Sequence, residues 1–272
     1  MNILEEIIAH KHMETDQRKQ FVSPRQLYAL VAQKIDEEEK NGLLPNSFRA
    51  ALQASKIGVV AEFKRKSPGK GWINEHAKAS TVPLDYEKNG ATALSILTDI
   101  DYFAGYDEFV QEARAVGVSL PILYSNFIVD DYQLLQARFC GASAVLLIAE
   151  CLSKDECRRL LALAHQLGLE VMLMVHNERS LDYAALEPDV LGVSNCDLST
   201  WITDVETSFR LAEKLPREAC KVSGGGICDA ETADRLHAVG YQGVLIGECL
   251  MRQNDPGLAL KAFVHELKPH AI

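Results

Sequence analysis

In the run GVVAEFK (58–64) a glutamate and a lysine stand two residues apart among apolar neighbours. Period two along a strand puts Val60, Glu62 and Lys64 on one face and Val59, Ala61 and Phe63 on the other. The second set suits packing beneath helices, so Glu62 and Lys64 point the opposite way, into an enclosed space. An acid and an ammonium there either contact a ligand or form a structural ion pair. The turn that follows, KRKSPGKG (64–71), is rich in cations and glycine and offers the Ser67 hydroxyl to an anion. GGGI (224–227) and IGE (246–248) each precede a helical pattern. Glycines there let backbone N–H groups face a phosphate, which makes Gly225, Gly226, Gly247 and Glu248 candidate phosphate-binding positions. A tight turn without a ligand is the competing reading.

These groups need a scaffold that brings distant turns together. Short runs rich in Val, Ile and Leu recur at 57–63, 92–97, 120–124, 143–149, 169–175, 189–194, 220–224 and 243–247. Helical patterns follow near 107–116, 129–140, 153–167, 178–186, 204–214, 229–239 and 256–267, and the link at 65–91 is longer. Runs apolar on both faces belong in a parallel sheet covered by helices. Eight evenly spaced units predict an α/β fold, a single (β/α)8 TIM barrel with its chemistry at the C-terminal ends of the strands. A doubly wound sheet would show six strands and GxGxxG after the first, and that motif is absent. The first fifty-odd residues read as two helices, ILEEIIAHK and SPRQLYALVAQKIDEEEK, with Ser23-Pro24 as a start and Asn41-Gly42 as a stop. The expected organisation is therefore one domain over 1–272, with a helical extension at 1–55 packed on a barrel at 56–272.

Composition narrows the partners. A net charge of −10 argues against nucleic acid and anionic membrane. No apolar run approaches the roughly 20 residues that span a bilayer. The first residues, MNILEEIIAHK, are acidic and helical in period and do not read as a signal peptide. Seven cysteines without CxxC suggest free thiols in a cytoplasmic protein. His10 and His12 read as an exposed helix face, and no metal site or cofactor is expected. The expected partner is a small molecule, and the chain is read as a monomer or weak homodimer.

The ordered series ILEEIIAHK, AEFKRKSPGKG, ALSILTDIDYFAGYDEF, PILYSNFIVDDYQ, AVLLIAECLS, VHNE and VLIGECLMRQNDPGLAL resembles the indole-3-glycerol phosphate synthase family over nearly the whole chain. The resemblance implies a cofactor-free lyase of tryptophan biosynthesis. That family closes the indole ring of a phosphorylated, ribulose-like anthranilate derivative, losing carbon dioxide and water. It also implies catalytic roles for Glu62 and Lys64, phosphate contacts at Ser67, Gly226 and Gly247, and an aromatic wall at Phe103.

Other positions depart from the family. Its third strand ends Leu-Arg-Lys-Asp-Phe-Ile, with that lysine as general acid, and Ser125 stands at the lysine position. Met174 stands where the fifth strand carries a general-base glutamate. Ser194 and Cys196 replace a substrate-binding asparagine and a nearby arginine, and Gly224-Gly225-Gly226 replaces Glu-Ser-Gly. A hydroxyl is a poor proton donor at neutral pH, and a thioether has no basicity. The resemblance therefore implies a family reaction that is weak or lost. The changes gather at inward positions at one barrel end while the core runs are kept, which reads as a repurposed pocket. Its expected lining of Leu97, Tyr106, Ser125, Met174, Ser194 and Cys196 is less charged and suits a flat aromatic ligand, with or without a phosphate. With fewer cations nearby, although Lys64 remains close, desolvation would leave Glu62 as the best surviving base, able to abstract a proton from such a ligand. An ordinary synthase that tolerates the substitutions through Lys64, and a non-catalytic binder or partner subunit that kept the fold, are the remaining readings. His176 and Asn177 read as a turn and helix start, Met172 as core, and Trp201 as either pocket cover or surface packing.

Overall fold

The computed structural model describes residues 3–42 and 45–267; the other positions of the 1–272 span lie outside the described residues. Eight parallel strands close into a barrel in chain order. They are β1 (Gly58–Phe63), β2 (Ala93–Leu97), β3 (Ile122–Ser125), β4 (Ala144–Ile148), β5 (Glu170–Val175), β6 (Val190–Ser194), β7 (Lys221–Gly224) and β8 (Gly243–Ile246). Each lies within two residues of the apolar run that predicted it. Closure is made by β1, which pairs with β8 on one side and β2 on the other.

Alternation separates two cores. Val59, Leu94, Ile122, Val145, Val171, Leu191 and Val244 pack outward against the helices. Val60, Ala93, Leu123, Ala144, Met172, Val190, Val222 and Leu245 pack inside the barrel. The long link after β1 holds a short antiparallel hairpin, Lys66–Ser67 with Gly71–Trp72, and a helix at Val82–Lys88. The pattern expected to be helical at 178–186 forms, as a 3-10 helix at Glu178–Leu186 whose N-cap is Asn177.

Three helices precede the barrel: α1 (Ile3–Phe21), α2 (Pro24–Asn41) and α3 (Phe48–Ala54). The Ser23 hydroxyl accepts from the Gln26 amide and starts α2, while Gly42 ends it in a left-handed conformation. At the N-terminal ends of the strands, Phe48 and Leu52 of α3 join the inner apolar cluster. The opposite end receives α1. Its basic residues meet acids of the loops there: Lys11 with Asp99, Arg18 with Asp107 and Lys19 with Asp130. His10 is half-buried and bonded to Asp101, which corrects its reading as an exposed position.

The Lys11–Asp99 pair is 2.6 Å long and almost fully buried, with side chains 1% and 0% exposed. Asp99 also accepts the amides of Tyr102 and Phe103, so this pair fixes an aromatic ring at the barrel mouth. Lys11→Met removes one partner and leaves a buried carboxylate. It is expected to cost about 3–5 kcal/mol of stability, read as a lower urea midpoint at unchanged slope.

The cysteines depart from expectation. Cys228 and Cys249 form a disulfide with Cα atoms 5.5 Å apart, and Cys140, Cys151, Cys157, Cys196 and Cys220 are free. Their separation of 21 residues follows no spacing rule, because the two are juxtaposed by the pairing of β7 with β8. Among the described residues, no helix is long and apolar enough to cross a membrane.

Candidate active site

A cavity of about 380 Å³ opens at the C-terminal ends of the strands. Its lining brings together Glu62, Lys64, Ser67, Phe103, Met174, Ser194, Cys196, Gly225, Gly226, Gly247 and Glu248. Larger hollows elsewhere on the surface contain none of the Glu62–Lys64 chemistry.

Glu62 and Lys64 point inward as their parity requires. One carboxylate oxygen of Glu62 lies 2.6 Å from the Lys64 ammonium, with the two side chains 9% and 18% exposed. The other oxygen accepts from the Ser95 hydroxyl at 3.2 Å. With its proton committed there, Ser95 accepts from Ser125 at 2.8 Å. A buried chain thus runs Ser125, Ser95, Glu62, Lys64. Glu62 is therefore no isolated carboxylate in an apolar pocket: both of its oxygens are engaged, one by the neighbouring Lys64 and one by Ser95. Ser95 went unnoticed in the sequence; the signal was a hydroxyl at an inward position of the otherwise apolar run ALSIL.

Gly247 is where this pair approaches the backbone most closely. A Cβ there would lie 2.4 Å from the Glu62 carboxylate and 3.0 Å from Glu62 Cβ. Glycine at this position makes room for Glu62, a role distinct from the expected phosphate contact.

Three expected pocket residues lie off the cavity wall. Leu97 is buried in the inner apolar cluster. Ser125 is 2% exposed and engaged with Ser95 beneath the cavity. Tyr106 is 39% exposed and stacks edge-on against Phe109, with ring centroids 5.2 Å apart. It stands just before the helix Asp107–Ala115.

Met174 does reach the lining, and Met172 lies one inward step below it. A Cβ on Gly192 would meet Met172 Cε at 2.6 Å and Met174 Sδ at 2.9 Å, so both thioethers fill the space that Gly192 leaves. The Ser194 hydroxyl donates to the Cys196 carbonyl and is not presented to a ligand. Burial pushes the Cys196 thiol up, opposed by hydrogen bonding to Thr203 and by the Lys64 charge, so it is no activated nucleophile. His176 bonds the Ser194 carbonyl through Nδ1, in keeping with a structural turn.

Behind the glycine turn after β7 lies a polar network that the sequence reading missed. Asn195 donates to the Gly225 carbonyl and to Ser223, and accepts from both the amide and the hydroxyl of Ser208. It fixes a turn in which Gly225 (φ 98°) and Gly226 (φ 74°) are both left-handed. Among the described residues the amides of Gly225, Gly226 and Ile227 donate to no backbone carbonyl. Side chains are excluded at Gly226, where a Cβ would lie 2.7 Å from Thr203.

Trp201 belongs to the lining, which settles its two readings in favour of pocket cover. It takes a left-handed φ of 58°, costly for a bulky residue, and its amide donates to the Asp197 carbonyl at 2.7 Å. It lies against Gly69 of the basic turn, and its ring centroid is 6.1 Å from that of Phe103. Lys70 of that turn also reaches the lining.

A (β/α)8 barrel with a carboxylate–ammonium pair and glycine turns at the strands' C-terminal mouth has the form of an enzyme of this class. The family model described as indole-3-glycerol phosphate synthase matches residues 4–263, and the chain belongs to that enzyme family. It is 43% identical over 267 residues to an indole-3-glycerol phosphate synthase of Bacteroides thetaiotaomicron, covering 98% of this chain and 99% of that one. With the protein of that name from Polynucleobacter asymbioticus the identity is 36%, covering 95% and 97%. Among solved structures, 3-hexulose-6-phosphate synthase from Salmonella typhimurium shares the fold, with a TM-score of 0.62 at 12% identity, covering 79% of this chain and 100% of that chain.

Proposed function

We propose that the chain is a member of the indole-3-glycerol phosphate synthase family whose ring-closing activity is weak or lost, and whose pocket takes an aromatic ligand bearing a phosphate. The observation that carries this reading is the chain Ser125–Ser95–Glu62–Lys64. In it the residue at the position of the family's general acid is a buried hydroxyl that donates to another serine and does not reach the cavity wall. Met174 supplies no base from the opposite wall. Each missing group is worth about 10²–10⁴-fold in rate.

The phosphate reading is supported by the left-handed Gly225-Gly226 turn, by Gly247 and by Ser67, all on one cavity with Lys64 and Lys70. Phe103 and Trp201 offer apolar faces to a ring. In this reading Lys64 holds an anionic group of the ligand, and Glu62, on the cavity wall beside it, accepts a proton from the ligand. Complementation of a tryptophan auxotroph lacking its own synthase tests the proposal. No growth on minimal medium is expected, and growth at the normal rate would defeat it.

A further inference from the structure

The Cys228–Cys249 bond sits where the two glycine turns meet. Cys228 follows Gly226 by two residues and Cys249 follows Gly247 by two, so one covalent link ties both turns. Both cysteines and Ile246 line the active-site cavity. The same three residues also line a groove of about 520 Å³ beneath the last helix, Pro256–Glu266. The bond is thus part of the wall between cavity and groove. Cys228 is exposed and Cys249 half-buried.

We propose that this pair is a thiol–disulfide exchange site for low-molecular-weight thiols of the glutathione class, and that it controls the site's hold on phosphate. The second clause rests on the phosphate reading of the glycine turns. In reduction, a thiolate attacks the sulfur of Cys228, the more exposed residue of the pair, and Cys249 leaves as its thiolate. A second small thiol then resolves the mixed disulfide, giving two protein thiols and one small disulfide. Oxidation runs in reverse: one small disulfide accepts two electrons and two protons and departs as two thiols. An exposed disulfide is of the labile kind.

The consequence follows from what else holds the turn. Gly225 and Gly226 occupy conformations that a glycine leaves readily, and the tether on the β6 side is Asn195 to the Gly225 carbonyl. Breaking the cross-link removes the covalent tie to the β8 side, leaving the Leu245–Gly224 pairing and buried Ile227 to hold the turn, and binding must then order its glycines.

The test uses the full chain in buffers of oxidised or reduced glutathione, with thiol counting, peptide mapping and inorganic phosphate titration. Five free thiols and a Cys228–Cys249 cross-linked peptide are expected when oxidised, and all seven thiols when reduced, with circular dichroism unchanged. Phosphate affinity is expected to fall about tenfold on reduction, and Cys249→Ser should show the weaker affinity in both buffers. Seven thiols under oxidised glutathione would overturn the exchange site. Equal phosphate affinity in the two forms would overturn the control. Phosphate binding by neither form would sink the phosphate reading together with the control, while the thiol count still decides the exchange site.

Discussion

The double variant Ser125→Lys/Met174→Glu is expected to raise the ring-closure kcat by about 10³–10⁴-fold over the unaltered protein. Both positions point into the barrel. Ser125 reaches it through Ser95, and Met174 stands on the cavity wall beside the space left by Gly192. A lysine at 125 is long enough to rise from beneath the cavity toward the carboxylate and present a proton. Glutamate is close to methionine in length, so the fifth-strand position keeps its packing while gaining a base. The two groups would serve successive proton transfers of one reaction, so their effects should not multiply independently. Each single variant is expected to gain less than about tenfold, and the pair more than the product of the singles. Steady-state kinetics on 1-(2-carboxyphenylamino)-1-deoxyribulose 5-phosphate read this cycle. A folded double variant with no gain would place the loss of activity at other positions.

Glu62→Gln, made in that double variant, is expected to lower kcat by about 10²–10³-fold with little change in KM. The amide keeps the shape and can still accept from Ser95 at 62, but it has no charge and no basicity. Lys64 then loses its counter-charge at 2.6 Å while keeping its position in the cavity. A kcat loss marks a group acting on the reacting atoms. A rise in KM alone would assign Glu62 the lesser task of orienting Lys64. Full activity would leave Glu62 as a structural ion-pair partner and remove it from the mechanism.

Much of this site was legible because barrel geometry turns alternation into direction. The inward faces of Glu62 and Lys64, the eight strand runs and the glycine turns all follow from period two and spacing. What stayed hidden depends on contacts between strands. Ser95 looks like one hydroxyl in an apolar run until β1, β2 and β3 lie side by side and it joins Glu62 to Ser125. The Asn195–Ser208–Ser223 network draws on the residue just past β6, on the helix Glu206–Ala212 and on β7, so no local pattern announces it. Tyr106 was placed in the pocket by its neighbourhood in sequence, yet one residue of helix entry turns it to Phe109. The cysteine pairing was invisible for the same reason: adjacency of β7 and β8 is a property of the closed barrel.

The charge around Glu62 also changes how the substituted site is understood. Loss of the third-strand lysine does not leave a bare carboxylate, because Lys64 and Ser95 take both oxygens. On the proposed function, Lys64 holds an anionic group while a second acid and base to work with Glu62 are missing. That combination favours binding over turnover.

The most direct measurement is kcat/KM for ring closure by the unaltered protein, beside the Bacteroides thetaiotaomicron relative under one set of conditions. A value about 10⁴-fold or more below the relative's is predicted, with the substrate still bound. A value within about tenfold of the relative's would contradict the account, because it would require Ser125 and Met174 to be dispensable replacements for an acid and a base.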